Sequence, residues 1–417
     1  MFSDSRDGLK EKKKYLSLIL FYVFHCSYIL FSYFSLDIKR ADLLGSLFFV
    51  FFHILFFTYW FVFKHKTFNF KHIIIAGLLY IGSPPLFEND HYRYIWEGKV
   101  IQNGHNPYVS APNSNELNSV HYQKRHKIGY NRLTSIYPPL AQAFFVIVSP
   151  FSYKVALTLL QILCSLITFY FLYHVFSSQK EYLVLVTPFF YKEFIQSIHI
   201  DIIACGILLF CLKKNKFLLG ILLSFFIKIL SILSLPFLLI RSLHQDKVQK
   251  FKVLGISLLV IAVLSFYPIN GNFTSGGEAF IKTWLWNSLL GSTLSFLNLQ
   301  DSIIRGILFL SFATSYLFLC FIYYKKKAEW THGHIAIAFY LLFFFSPVLH
   351  PWYLIWPLVF DSKNKFYFYF MATSFLAYLP YTVFEEDVIY QLPQLAIILI
   401  VIRNQIKEIL HYKKVET

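Results

Sequence analysis

The sequence predicts an all-α polytopic membrane protein, and three observations carry that prediction. Hydrophobic residues make up 57% of the 417-residue chain and charged residues only 14%. With a mean hydropathy of +0.54, the chain lacks the polar surface to enclose itself in water. The apolar residues come in long runs without period-two alternation, so each run satisfies its backbone as a helix and not as a barrel strand. The 38 Lys and Arg residues, against 22 Asp and Glu (net +16), punctuate those runs instead of gathering on one solvated face. That placement excludes a nucleic-acid partner, which needs a basic surface, and the composition excludes disorder and collagen-like repeats.

A hydrocarbon core of about 30 Å takes roughly 20 helical residues. In chain order, the predicted runs are Tyr15–Phe34, Leu43–Phe63, His72–Phe87, Lys154–Phe176, Tyr182–Ile198, Ile200–Leu212, Lys252–Pro268, Ser302–Tyr324, His332–Pro347, Trp352–Phe360, Phe366–Phe384 and Val388–Ile402. With half-membrane segments they give about 11–14 helices in one integral domain, 1–417. The first run is too long for a signal-peptide core and reads as a retained span. Short basic loops stay on the cytoplasmic side. The loops at Lys10–Lys14, Lys64–Lys71, Lys213–Lys216, Arg241–Lys252, Lys325–Lys327 and Lys363–Lys365, with the Lys413-Lys414 tail, therefore put both termini in the cytoplasm of a cell (inner) membrane. The periplasmic or exterior side receives the long loop 88–136, a second loop at 270–300, His350 and the acidic Glu385-Glu386-Asp387 turn.

Two segments are too short or too interrupted to span simply. Tyr137–Pro150 reads as an outer-side half-helix, opened by Pro138-Pro139 at a first turn where no N–H is missed. Phe217–Ile240, basic at both ends and carrying Lys228 and Pro236, reads as a hairpin of two short helices, with Lys228 snorkelling to the cytoplasm or pairing with a carbonyl. Broken helices at membrane depth line a buried or aqueous cavity. The five cysteines, Cys26, Cys164, Cys205, Cys211 and Cys320, lie inside apolar runs and imply neither disulfides nor a zinc site. No nucleotide-binding motif is present.

The polar loop opens with Glu88-Asn89-Asp90-His91-Tyr92-Arg93-Tyr94-Ile95-Trp96-Glu97-Gly98. On a helix from about residue 90 to Gly104, Asp90, Arg93, Tyr94 and Glu97 share one face. Two carboxylates then stand about 10 Å apart along the axis, with an arginine between them. Ile95 and Trp96 take the opposite side, suited to the membrane interface. The face is either a base beside an anion-binding group or an N-cap followed by a surface ion pair. Ionisable residues at membrane depth are costly and mark function. These are Lys192, Glu193, His199, Asp201, Lys228, Arg305 and His350. A divalent metal on Asp90 or Glu97 is possible, but no ligand spacing calls for one.

Asp90-His-Tyr-Arg-Tyr-Ile-Trp-Glu-Gly98, Gly104-His-Asn-Pro-Tyr108, Tyr137-Pro-Pro-Leu140, His199-Ile-Asp201 and His350-Pro-Trp-Tyr353 follow one another in an order that resembles the GT-C superfamily of glycosyltransferases. The nearest resemblance is to bacterial mannosyltransferases that use polyprenyl-phosphate mannose. It spans residues 90 to 353 and departs from the family in having Glu97 where Asp is usual. The resemblance implies Asp90 as catalytic base, a polyprenyl-phosphate sugar donor delivered from the membrane lipids, and a glycan, lipid or protein acceptor. Transfer would invert the anomeric carbon, with Arg93, Glu97, Tyr137, Lys192, His199, Asp201, Arg305 and His350 as the residues around donor phosphate and substrate. A lipid-linked glycan polymerase or ligase, and a transporter or flippase, remain the alternatives. The absence of an internal repeat counts against the transporter.

Overall fold

The computed structural model describes residues 3–34, most of 51–58, 70–175, 188–244, position 255, 285–326, 331–361, some of 364–381, and 391–411. Most of the predicted Leu43–Phe63 run, the Lys252–Pro268 run, the first part of the 270–300 loop and the Glu385-Glu386-Asp387 turn lie outside the described residues. Among the described residues the protein is helical, without strands. Its helices are α1 (Ser3–Phe34), α2 (Phe70–Leu78), α3 (Asp90–Gln102), α4 (Pro139–Val148), α5 (Tyr153–Val175), α6 (Pro188–Tyr191), α7 (Asp201–Lys213), α8 (Phe217–Phe225), α9 (Leu235–Leu243), α10 (Gly291–Ser295), α11 (Asp301–Lys325), α12 (Thr331–Phe345) and α13 (Leu392–His411). Three of them, α1, α5 and α11, are long and apolar enough to cross a membrane. A fourth crossing results if α6 and α7 with their bend form one span. Other predicted runs are shorter helices: His332–Pro347 is the 15-residue α12, and Trp352–Phe360 is a 3-10 segment, Pro351–Val359.

The two breaks predicted from the sequence pack against each other. α4 is a ten-residue half-helix with proline at its first turn. Its opening N–H groups, those of Leu140 and Ala141, donate to the Phe226 carbonyl at 2.9 and 3.3 Å, where α8 ends. The hairpin is a helix, a break at 226–228, a 3-10 turn (Ile229–Ser234) and α9. The start of α4 and the tip of the hairpin are therefore joined through one carbonyl.

The predicted Tyr182–Ile198 and Ile200–Leu212 runs meet at a 93° bend. α6 runs into a π-helical turn, Lys192–Gln196, and Ile198 adopts a left-handed φ of 55°, an outlier for a β-branched residue. π turns widen a helix by one residue and re-aim its side chains. Here the turn presents Lys192 and Glu193, and the bend presents His199 and Asp201. Gln161 of α5 ties the bend down from below. Its amide nitrogen donates to the carbonyls of Ser83 (2.9 Å) and Gln196 (3.0 Å), and its oxygen accepts from the Gly82 N–H (2.8 Å).

Gly98 sets the approach of α3 to α4. A Cβ there would stand 2.3 Å from the Phe145 carbonyl oxygen, so only glycine admits this backbone contact. One turn earlier, Tyr94 stacks on the Phe145 ring at 4.6 Å. The sequence placed Ile95 and Trp96 at the membrane interface, and the structure corrects that. Both are buried because the loop folds back over them: Tyr122 packs on Trp96, and the Arg125 guanidinium lies 4.9 Å above its ring. Arg125 also donates to the carbonyls of Pro112, Ser114 and Leu117, which fixes that fold of the loop.

Candidate active site

A cavity of about 170 Å³ opens at the N-terminal end of α3. Glu88, Asn89, Asp90 and Arg93 line one side, Gly129, Tyr130, Leu133, Thr134, Ile136 and Tyr137 a second, and Lys228, His350, Trp352 and Tyr353 the floor. Each wall has a local cause. The turn Asn106-Pro107-Tyr108 is a strut: its Pro107 carbonyl accepts from the Ser135 N–H (2.8 Å), and the Tyr108 phenol donates to the Tyr137 carbonyl (2.6 Å). Two of the sequence motifs thus hold each other in place.

Arg93 and Glu97 form a buried clamp. Arg93 Nε donates to Glu97 Oε1 at 2.7 Å, and its other nitrogens donate to the carbonyls of Tyr130, Leu133 and Thr134. Glu97 Oε2 accepts from Ser135 Oγ (2.7 Å) and Gln142 Nε2 (2.6 Å). Burial of such a pair is tolerated when every remaining lone pair and proton finds a partner. The expected surface ion pair is therefore a buried one. Glu97 stands behind the cavity wall, and Arg93 spends most of its donors on the loop.

A second set of charges lies behind Glu88. The Lys192 ammonium is 3.1 Å from Glu193 Oε1 and 3.6 Å from Glu88 Oε1, and donates to the Tyr378 hydroxyl at 2.5 Å. That hydroxyl lies 2.7 Å from Glu193 and 2.9 Å from Glu88. A phenol has one proton and cannot serve both carboxylates. Burial lifts the Glu88 carboxyl to about 7, opposed by Lys192 and His199 and reinforced by Glu193 and Asp90, so below neutral pH a proton on Glu88 completes the set. His199 Nε2 lies 3.2 Å from Glu193 Oε2. Its ring stacks on Trp352 at 3.7 Å, while His350 stacks on Trp352 at 4.3 Å. Two near-parallel rings this close cannot share one face, so the indole is held between the imidazoles. Asp201 accepts from the Trp356 indole N–H (2.9 Å) and pairs with Lys228 Nζ (3.2 Å). Lys228 therefore lines the cavity and pairs with a carboxylate, where its place between basic loops suggests snorkelling or a carbonyl partner.

The sequence matches two family descriptions: the N-terminal domain of alpha-(1->6)-mannopyranosyltransferase over residues 75–244, and the MptB C-terminal domain over residues 286–403. Between them they cover more than half of the chain, and the cavity draws its walls from both. The chain belongs to the alpha-(1->6)-mannopyranosyltransferase family. No curated protein and no solved structure matches it. The protein is accordingly a membrane glycosyltransferase that works on a sugar donor and a glycan acceptor.

In this mannosyltransferase the expected site residues separate into three groups. Asp90, Arg93, Tyr137 and His350 line the cavity. Lys192, His199, Asp201 and Glu97 stand one layer behind it. Arg305 is elsewhere, on α11, 3.9 Å from Asp301, and does not line the cavity. The sequence does not single out Glu88 or Tyr378, and the context of Lys228 points it away from the cavity it lines. The signal for Lys228 was its place inside an apolar run, but its partner Asp201 is distant in the chain. Among the described residues Glu88, Glu193 and His199 have ligand atoms within 4.8 Å of one another, the reach of a metal site. The Lys192 ammonium already lies against both of those carboxylates.

Proposed function

We propose that this mannosyltransferase moves mannose from a polyprenyl-phosphate carrier to a glycan hydroxyl on the outer face of the membrane, inverting the anomeric carbon, with Asp90 as general base. One observation carries the reading. Glu88, Glu97, Glu193 and Asp201 each have a cation or cationic partner. The Asp90 carboxylate lines the cavity with no hydrogen bond or ion pair among the described residues. A base needs such a free lone pair at the substrate. Its neighbour His91 is a poor rival: burial, then the charges of His199 and Lys127, pushes its pKa down to about 3, and it packs against Tyr153.

The acceptor hydroxyl oxygen attacks the anomeric carbon as Asp90 takes its proton. The bond from that carbon to the phosphate oxygen breaks, and the carrier phosphate leaves with the electron pair. Lys228 is the cation on the cavity floor, and a charge-assisted contact from it steadies the leaving phosphate. Asp201 and Trp356 hold that lysine in place, and the stack of His199, Trp352 and His350 shapes the floor. An α product formed by inversion requires a β-linked mannosyl phosphate as donor. The chain acts in this reading as one integral unit, 1–417, with the loop 88–136 outside and both termini cytoplasmic, as the basic loops suggest.

The test is purified protein in lipid nanodiscs with polyprenyl-phosphate mannose and a mannose oligosaccharide, the products read by mass spectrometry. Asp90→Asn is expected to lose about 10²–10⁴-fold in transfer while keeping its melting temperature and donor affinity. Unchanged turnover in that variant overturns the base assignment. Product from a nucleotide sugar but not from the lipid donor overturns the carrier.

A further inference from the structure

The rim of the cavity carries Tyr130, an aromatic residue that the base mechanism does not use. Tyr130 lines the cavity and is nevertheless 59% exposed. Its backbone sits at φ 51°, a left-handed conformation that is rare for a bulky residue. Such a conformation persists only where the surroundings impose it, and here they do. The Tyr130 carbonyl accepts from Arg93 Nη1 (3.3 Å) and from the Leu133 N–H (2.9 Å). The preceding Gly129 lies so close to Asn89 that a Cβ would meet its amide at 2.6 Å. The turn is thus pinned to the first turn of α3, beside Asp90, and carries an aromatic ring outward at the cavity mouth.

The cavity is asymmetric. Its floor holds the cation Lys228 and the rings of Trp352 and Tyr353, and Trp352 has both faces taken by His199 and His350. The outer wall, residues 129–136, carries no charged side chain into the cavity. A pyranose ring presents a patch of C–H groups on one face, and an exposed aromatic ring covers such a patch while leaving the sugar hydroxyls wet. With the donor phosphate at the floor and Asp90 on one wall, the position left to the acceptor is the rim.

We infer that Tyr130 is the acceptor platform: a sugar ring of the acceptor glycan stacks on its side chain, and the stacked ring presents its hydroxyl to Asp90. The inference rests on the reading of Asp90 as base and adds to it the residue that positions the acceptor.

The experiment compares Tyr130→Ala, Tyr130→Gly, Tyr130→Phe and the parent protein in nanodiscs, with polyprenyl-phosphate mannose and a mannose oligosaccharide. Glycine removes the ring at a backbone conformation that suits it, which separates ring loss from backbone strain. Acceptor KM is expected to rise about tenfold or more in both Ala and Gly variants, the cost of truncating an aromatic contact residue. Donor KM stays as in the parent, and phenylalanine restores the acceptor KM. An unchanged acceptor KM in the Ala and Gly variants overturns the inference, as does an equal rise in donor KM. Transfer by the parent that Asp90→Asn abolishes, with normal Tyr130→Ala kinetics, sinks this inference alone. Absence of any product in the parent sinks the functional reading beneath it.

Discussion

The start and the middle of α3 carry the same kind of side chain on the same face and use it in opposite ways. In the middle, the Glu97 carboxylate is buried and accepts from Arg93, Ser135 and Gln142. At the N-terminal end, Asp90 faces the cavity with no such partner among the described residues. A carboxylate with three donors is fixed, and its lone pairs serve the structure. One with none leaves them open to the cavity. The contrast teaches that the function of an acidic residue on this helix is set by the segments that fold over it, the 133–137 stretch and α4, and not by its place in the helical repeat.

The sharpest way to break that comparison is to exchange the effects. Asp90→Asn should remove catalysis and leave stability alone, as stated above. Glu97→Ala should do the reverse. It leaves the Arg93 guanidinium buried without its counter-charge, at a cost of about 3–5 kcal/mol. Melting temperature in nanodiscs should fall steeply, while the protein that remains folded keeps measurable turnover. If Glu97→Ala melts normally and loses only activity, Glu97 belongs with Asp90. Gly98→Ala comes next. It drives a methyl into the Phe145 carbonyl and should destabilise by about 1–3 kcal/mol through overpacking, read by the same melting experiment, with acceptor and donor KM little changed.

The smallest effect concerns Glu88. Its folded pKa of about 7 lies above the ordinary 4.5, so the native state holds a proton that the unfolded chain has already released. The stability this adds is fully present below about pH 4.5 and is lost as pH rises through 7. Above pH 7 the new charge beside Asp90 also opposes an anionic donor. Donor KM should therefore rise as pH passes 7, and Glu88→Gln should flatten that rise. A parent profile that is flat across pH 6–8 would remove Glu88 from the donor side of the cavity.

Much of this was readable in the chain. The apolar runs gave the helical membrane class, and the paired prolines at 138–139 gave the start of α4. Helical spacing put Asp90, Arg93 and Glu97 on one face, and α3 follows nearly the predicted bounds. Periodicity names a face but not what covers it. That is why the pattern points Trp96 at the membrane interface when Arg125 and Tyr122 lie on it, and why it does not show that Arg93, at the cavity, also serves three loop carbonyls. Lys228 escaped for a related reason. Its charge was visible, but its direction depends on Asp201 and on the kink at 226–228, which the Phe226 carbonyl shares with α4.

The stack of His199, Trp352 and His350 has a consequence for tolerance to change. The two imidazoles come from distant parts of the chain, yet the gap between them is set by the thickness of one indole. Intervening segments can lengthen, shorten or shift without altering that gap, because the ring acts as a gauge block between them. A smaller side chain at Trp352 would remove that spacer and leave the Asp201–Trp356 hydrogen bond to hold the two segments in register.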